Sequence, residues 1–198
     1  MKKFDEDAAV ALRNWTEKEV RAASGTSPCS TNPDDNEYNP KGPHKWFIEA
    51  VADASAIITL RRIAEIWIVR PPYPSWRSYA PTIRQRADAM VLAATLPPGV
   101  KLADWFIQNE PLLQQDSANV WVVAVALLPL FEHEPGCDEA ANWLDDHTHG
   151  TFSEYLANWC DCVPETHRPI VQRIAREFGL EIDPTRPFPS GNSPCGSS

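Results

Sequence analysis

Apolar residues recur at three- and four-residue intervals along much of the chain, a spacing typical of helices with one buried face. The clearest stretch is 45–69, which ends just before two consecutive prolines. Its predicted buried face consists of Phe47, Val51, Ala54, Ile57, Ile58 and Ile63. The same spacing predicts further helices over 4–23, 81–96, 102–109, 117–132, 138–146, 152–159 and 169–178.

The ends of these segments carry residues that start and stop helices. Thr151 and Glu154 fit a capping box for the helix beginning at 152, and Gly179 suits the position after the end of the last one. Many of the 19 prolines lie between the apolar stretches, where they end helices. One segment has an alternative reading, because the valine-rich run 118–128 would also suit a buried strand.

These elements predict an all-α fold, a single-domain bundle of about seven to eight helices with proline-rich connections. We expect one helical domain over 1–183, with an exposed loop at 24–44 and a flexible Pro/Ser/Gly-rich tail at 184–198. A chain of 198 residues is long enough to build one sizeable core.

From the sequence we expect the predicted bundle to be a cytoplasmic protein. The longest apolar run, 118–131, is too short to span a bilayer as a helix, and no signal-like apolar segment follows the two N-terminal lysines. The five cysteines, an odd number without an export signal, favour free thiols in a reducing compartment. We therefore expect no membrane partner.

Charge is distributed very unevenly. Segment 102–167 contains twelve carboxylates and no lysine or arginine, whereas its neighbour 61–101 carries seven bases and two acids, or +5. Without basic partners on the same helices, the acids of 102–167 repel one another. Three sources can offset that repulsion: the arginines of 61–101 folding against the acidic half, a basic partner, or a bound cation.

The leading functional hypothesis is an acidic helical protein-interaction module that binds a basic protein partner through the 102–167 half. Nucleic-acid binding by this half is disfavoured, because phosphate contacts require clustered lysine and arginine. The residues expected to contact the partner are Glu132, Glu134, Asp138, Glu139, Asp145, Asp146 and Glu154.

In composition the chain looks like the helical immunity proteins of bacterial toxin systems, being small and acidic, with tryptophan-rich helices and no cofactor motif. The resemblance implies an inhibitor that neutralises a cationic toxin such as a nuclease. Sequence alone leaves the oligomeric state open.

The alternative hypothesis is a metal-binding protein, with zinc or iron, or a hydrolase that uses the His/Cys/acid cluster at 132–167. Its candidate ligands are His133, His147, His149, Cys160 and His167. The spacing is unfavourable, since Cys160 and Cys162 are separated by one residue and not by the two typical of zinc knuckles. We therefore expect no cofactor, with zinc as the alternative.

Signatures of catalysis are missing from the sequence. It has no glycine-rich phosphate loop, no Gly-x-Ser-x-Gly motif and no His-Glu-x-x-His motif, so a non-enzymatic role is favoured. A third, weaker hypothesis places a nucleotide or phosphate at a segment that interleaves guanidinium and aromatic groups. The residues that would bind such a ligand are Trp67, Arg70, Trp76, Arg77 and Arg84.

Overall fold

A computed structural model describes residues 42–144 and 150–182 of the chain. Helices account for 76% of these residues and no strand occurs among them, which confirms the all-α prediction. The seven described α-helices are α1 (Lys45–Val69), α2 (Ala80–Ala94), α3 (Leu102–Asn109), α4 (Ser117–His133), α5 (Cys137–Ala141), α6 (Phe152–Cys162) and α7 (Arg168–Glu177). Short 3₁₀ turns cover Pro74–Tyr79, Glu110–Leu112 and Glu165–His167.

Helix α1 is the centre of the bundle. Arg61 of α1 pairs with Asp88 of α2, and Arg84 of α2 pairs with Glu65 of α1, so these two helices run antiparallel. Helix α4 packs on α1 in the parallel direction: Gln114, just before α4, bonds the Pro43 carbonyl, and Glu132 near its end bonds Arg61. All six residues predicted for the inner face of α1 are buried.

The valine-rich segment forms part of α4 and not a strand. Val120, Val123, Ala124 and Leu127 are buried at helical spacing, and Asp116 caps the first turn by accepting a hydrogen bond from the Ala118 N–H. The branched valines are accommodated because α4 packs against α1 along most of its length, and burial of this kind overrides weak helix propensity.

An aromatic cluster closes one end of the bundle. Phe47, fully buried near the start of α1, has its ring centroid within 6.0 Å of the centroids of Trp46, Phe152, Tyr155, Trp159 and Phe178. Phe106 joins this group from α3, with its ring centroid 5.9 Å from that of Trp46. The cluster therefore fixes α3, α6 and the end of α7 around the N-terminal end of α1.

The predicted helix ends are largely confirmed. The Thr151–Glu154 capping box is formed at α6, and Gly179 follows α7 with a φ of 72°. The helix predicted over 138–146 is wrong at its C-terminal end, because α5 ends at Ala141 and a turn follows. A tertiary contact contributes to this early end of the helix. The Ala140 carbonyl accepts a hydrogen bond from the buried indole N–H of Trp159 at 3.0 Å.

Several predictions concern residues that the structure does not describe. The predicted helix at 4–23, the loop at 24–44 apart from its last three residues, and the tail at 184–198 lie outside the described ranges. Within those ranges, no helix is long and apolar enough to cross a membrane.

Candidate functional site

The acids at the end of α4 and the start of α5 are paired with arginines of the same chain. Glu132 lies 2.5 Å from the Arg61 guanidinium, and Asp138 lies 3.9 Å from that of Arg62. Glu134 pairs with Arg173 of α7. Arginines of 61–101, one of the three sources considered for offsetting the repulsion, therefore pair with Glu132 and Asp138, whereas the partner of Glu134 comes from α7, outside that segment.

The remaining predicted partner-binding acids have different surroundings. The Glu139 carboxylate lies 3.8 Å from the His167 ring nitrogen, and the Glu154 carboxylate accepts the Thr151 N–H in the capping box. Asp145 and Asp146 lie outside the described residues. The five described acids of the predicted set therefore each contact groups of the same chain.

A different part of the acidic half presents carboxylates that no described lysine or arginine contacts. Asp104 of α3 and Glu110 of the following 3₁₀ turn are exposed, and neither forms an ion pair with a lysine or arginine of the described residues. Beside them, Ile107 is 74% exposed and Leu112 is 48% exposed. We call these four residues the acidic pole.

The acidic pole follows from the local sequence. Leu102 and Phe106 of α3 are buried, whereas Asp104, Ile107 and Glu110 are exposed at intervals of three residues along α3 and the turn that follows it. Our sequence reasoning missed this group, because it weighted the densest run of acids at 132–146 over the amphipathic pattern of one short helix. The signal that identifies the pole is a large aliphatic residue placed among acids on the polar face.

The opposite end of α1 carries the second group of exposed apolar residues. Ile66, Ile68 and Val69 in the last two turns are 56%, 56% and 69% exposed, and Tyr73 in the following loop is 59% exposed. Arg70 and Arg77 accompany them, and the Arg77 guanidinium donates a 3.4 Å hydrogen bond to the Val69 carbonyl. We call these six residues the basic pole.

The basic pole overlaps the predicted nucleotide or phosphate site. The Trp76 ring packs against those of Trp67 (tilted) and Tyr73 (edge to face), each at a centroid distance of 5.0 Å, so the aromatic groups do converge. Trp67 is buried, however, and Arg84 is held by the carboxylates of Glu65 and Asp88. Of the five residues predicted for that site, Arg70 and Arg77 are left as exposed cations without a described ion pair.

The candidate metal ligands are not brought together within the described residues. His133 bonds the Pro129 carbonyl, and Cys160 is buried with its sulfur 4.0 Å from the Arg168 carbonyl. His167 faces Glu139, whereas His147 and His149 lie outside the described ranges. No cluster of three or more His, Cys, Asp or Glu side chains in the described ranges is arranged to hold a metal ion.

The buried thiols have the properties of structural cysteines. Burial, followed by the charges of Asp138 and Glu134, raises the pKa of Cys137 to about 11. Burial also raises the pKa of Cys160, and Asp161 adds to this effect. Both cysteines therefore remain thiols at neutral pH, which is the unreactive form.

Asp53 is a partly buried carboxylic acid on α1 for which the described residues provide no hydrogen-bond or ion-pair partner. Burial, with a smaller effect from the charge of Glu49 one turn earlier, raises its pKa to about 6. Since the pKa is higher in the folded state, the folded protein binds more protons between about pH 4 and 6. Stability is therefore lost as the pH rises through this window.

We expect Asp53→Asn to stabilise the protein at pH 7.5 by about 1–2 kcal/mol, because the amide carries no charge to desolvate. Urea denaturation of both proteins at pH 4, 6 and 7.5 measures this. The gain is expected to disappear near pH 4, where Asp53 itself is neutral. A gain that does not change with pH would contradict the assignment.

No protein-family model, curated protein or solved structure that we compared with the chain matches it.

Proposed function

We propose that this chain is an acidic helical protein-interaction module that binds a basic protein partner through its 102–167 half, as an inhibitor or immunity-type protein does. The observation that supports this proposal most directly is the acidic pole. Asp104 and Glu110 are exposed without basic partners among the described residues, and they flank the 74% exposed Ile107.

The acidic pole combines the two contributions that a specific interface needs. Complementary charges accelerate association and exclude wrong partners, whereas apolar side chains that become buried supply most of the binding energy. Ile107 and Leu112 provide the apolar contribution here. The matching partner is a protein that presents lysine or arginine around an apolar depression.

The paired acids contribute less to such binding. A partner that bound Glu132, Glu134 or Asp138 would have to displace Arg61, Arg173 or Arg62 from the carboxylate it approached. Displacement costs part of the binding energy and leaves an arginine to be solvated again. Asp145 and Asp146 remain in the proposal on the sequence alone, because the structure does not describe them.

The test is affinity capture with the full chain, followed by titration of each captured protein that has a basic isoelectric point. We compare the wild-type chain with an Asp104→Asn/Glu110→Gln variant at about 50, 150 and 500 mM NaCl. The variant is expected to bind at least about tenfold more weakly at low salt, and the difference is expected to shrink as salt screens the charges.

The matched control is Glu177→Gln/Glu181→Gln, which removes two exposed acids outside the 102–167 half and changes the net charge equally. It is expected to keep wild-type affinity. If both variants lose affinity equally, the effect is one of net charge and not of the acidic pole. Capture of no basic protein, or binding that does not respond to salt, contradicts the proposed function.

A further inference from the structure

Exposed apolar side chains are concentrated at the two ends of α1. Of the eight large apolar residues that the described ranges expose, four belong to the basic pole and two to the acidic pole. The four in the basic pole are Ile66, Ile68, Val69 and Tyr73, and the two in the acidic pole are Ile107 and Leu112. Exposed apolar groups that gather in this way mark binding surfaces more often than scattered ones do.

The poles lie at opposite ends of one rigid element. The basic pole contains the last residues of α1 itself. The acidic pole lies near the start of α1, because Phe106 of α3 packs on Trp46 and Gln114 bonds the Pro43 carbonyl. The 25 residues of α1 separate its two ends by about 37 Å.

Stabilisation of α1 accounts for part of this arrangement. Acids near the N-terminal end of a helix and arginines near its C-terminal end both compensate the helix dipole. That effect gives no reason for the last two turns of α1 to expose Ile66, Ile68 and Val69. A helix end that is apolar on its outer side as well as its inner side is typical of a helix covered on both sides.

We infer that the occupant of the basic pole is the acidic pole of a second copy of this chain, so that copies associate head to tail. The second copy supplies a complement to each kind of group in the basic pole: the carboxylates of Asp104 and Glu110 for its arginines, and the aliphatic side chains of Ile107 and Leu112 for its exposed apolar residues. A symmetric contact between two basic poles would instead place arginines against arginines.

Head-to-tail contact has a consequence that separates it from a closed dimer. Each dimer leaves one basic pole and one acidic pole free, so a third copy binds by the same contact, unless the copies close into a ring. The average mass therefore rises past that of a dimer as the concentration increases. A basic protein partner would compete with a second copy for the acidic pole, but the inference does not depend on such a partner.

The experiment is sedimentation of the purified full-length chain alone, over a range of concentrations at about 50 and 500 mM NaCl. The wild-type chain is expected to associate at low salt and to dissociate at high salt. Two charge-reversal variants are tested separately: Arg70→Glu/Arg77→Glu and Asp104→Arg/Glu110→Arg. Each is expected to weaken association at least about tenfold, because its two poles then carry the same sign.

An equimolar mixture of the two variants provides the decisive measurement. One variant has two acidic poles and the other two basic poles, so every contact between unlike copies joins opposite charges. Association is expected to return to the wild-type level. No return, or a wild-type chain that stays monomeric at every concentration, overturns the inference. Association that survives Asp104→Arg/Glu110→Arg overturns it as well, because the acidic pole is then not the occupant.

The apolar contribution is tested by Ile66→Gln/Val69→Gln, which leaves all charges in place. Both side chains are exposed, so we expect the variant to fold with an unchanged melting temperature and to associate more weakly. Undiminished association of the folded variant would contradict the proposed contact. These outcomes are read on the purified chain alone, and they are therefore independent of whether a basic protein partner is found.

Discussion

Replacing Phe47 with alanine is expected to lower the free energy of unfolding by about 3–5 kcal/mol. Phe47 is fully buried, and its ring contacts five aromatic rings supplied by α1, by α6 and by Phe178 after α7. The substitution loses the transfer free energy of the ring, leaves a cavity among rigid neighbours and removes several edge-to-face contacts. Since a domain of this size is stabilised by about 5–15 kcal/mol, the loss is a large part of the total.

Urea denaturation measures this change, with the urea dependence of the free energy compared between variants to check that unfolding remains a single transition. Leu92→Ala is the matched control, because Leu92 is an equally apolar residue that is 80% exposed on α2. It is expected to change stability by less than about 0.5 kcal/mol. A loss below about 1 kcal/mol for Phe47→Ala would contradict the packing of the aromatic cluster.

The sequence is most informative about this fold where several local signals agree. Helix α1 has apolar spacing through 25 residues and a Pro-Pro stop, and its predicted bounds match those observed. Helix α6 begins as predicted because the capping box of Thr151 and Glu154 depends on residues three apart in the chain. Its end was placed too early, at Trp159, whereas the helix continues to Cys162.

Pairing of the acids could not be predicted in the same way. The ion pair between Arg61 and Glu132 joins residues 71 positions apart, and that between Glu134 and Arg173 joins residues 39 apart. Each depends on how two helices pack, which apolar spacing within one helix does not specify. The segment charges identified the arginines of 61–101 as a source of positive charge for the acidic half, but they did not indicate which acids these arginines would pair with.

For the candidate site, the structure changes which acids of the acidic half are the best candidates for binding a partner. The density of acids pointed to 132–146, where three of the four described acids are paired with arginines of the same chain. Exposure and the lack of described basic partners point to Asp104 and Glu110, which are sparser in the sequence. A surface acid is available to a partner only when no internal base is closer, so tertiary packing decides which acids can act.

Replacing Arg61 with methionine is expected to lower the free energy of unfolding by about 2–3 kcal/mol. Its guanidinium bonds Glu132 of α4 at 2.5 Å and Asp88 of α2 at 3.3 Å, and its side chain is 20% exposed. Methionine fills similar space but leaves Glu132, also partly buried, without a described cationic partner. The expected loss is smaller than for a fully buried pair, because water reaches both carboxylates.

Arg62→Met provides a control on the adjacent residue of the same helix. Arg62 also pairs with an acid of the acidic half, Asp138, but the distance is 3.9 Å and both side chains are more than 60% exposed. We expect a loss below about 0.5 kcal/mol. Arg61→Lys should fall between the two methionine variants, since an ammonium keeps the charge but cannot present two donors at the angles of a guanidinium. Denaturation of these three variants measures the ranking, and equal losses for Arg61→Met and Arg62→Met would show that Arg61 does not hold α2 and α4 to α1.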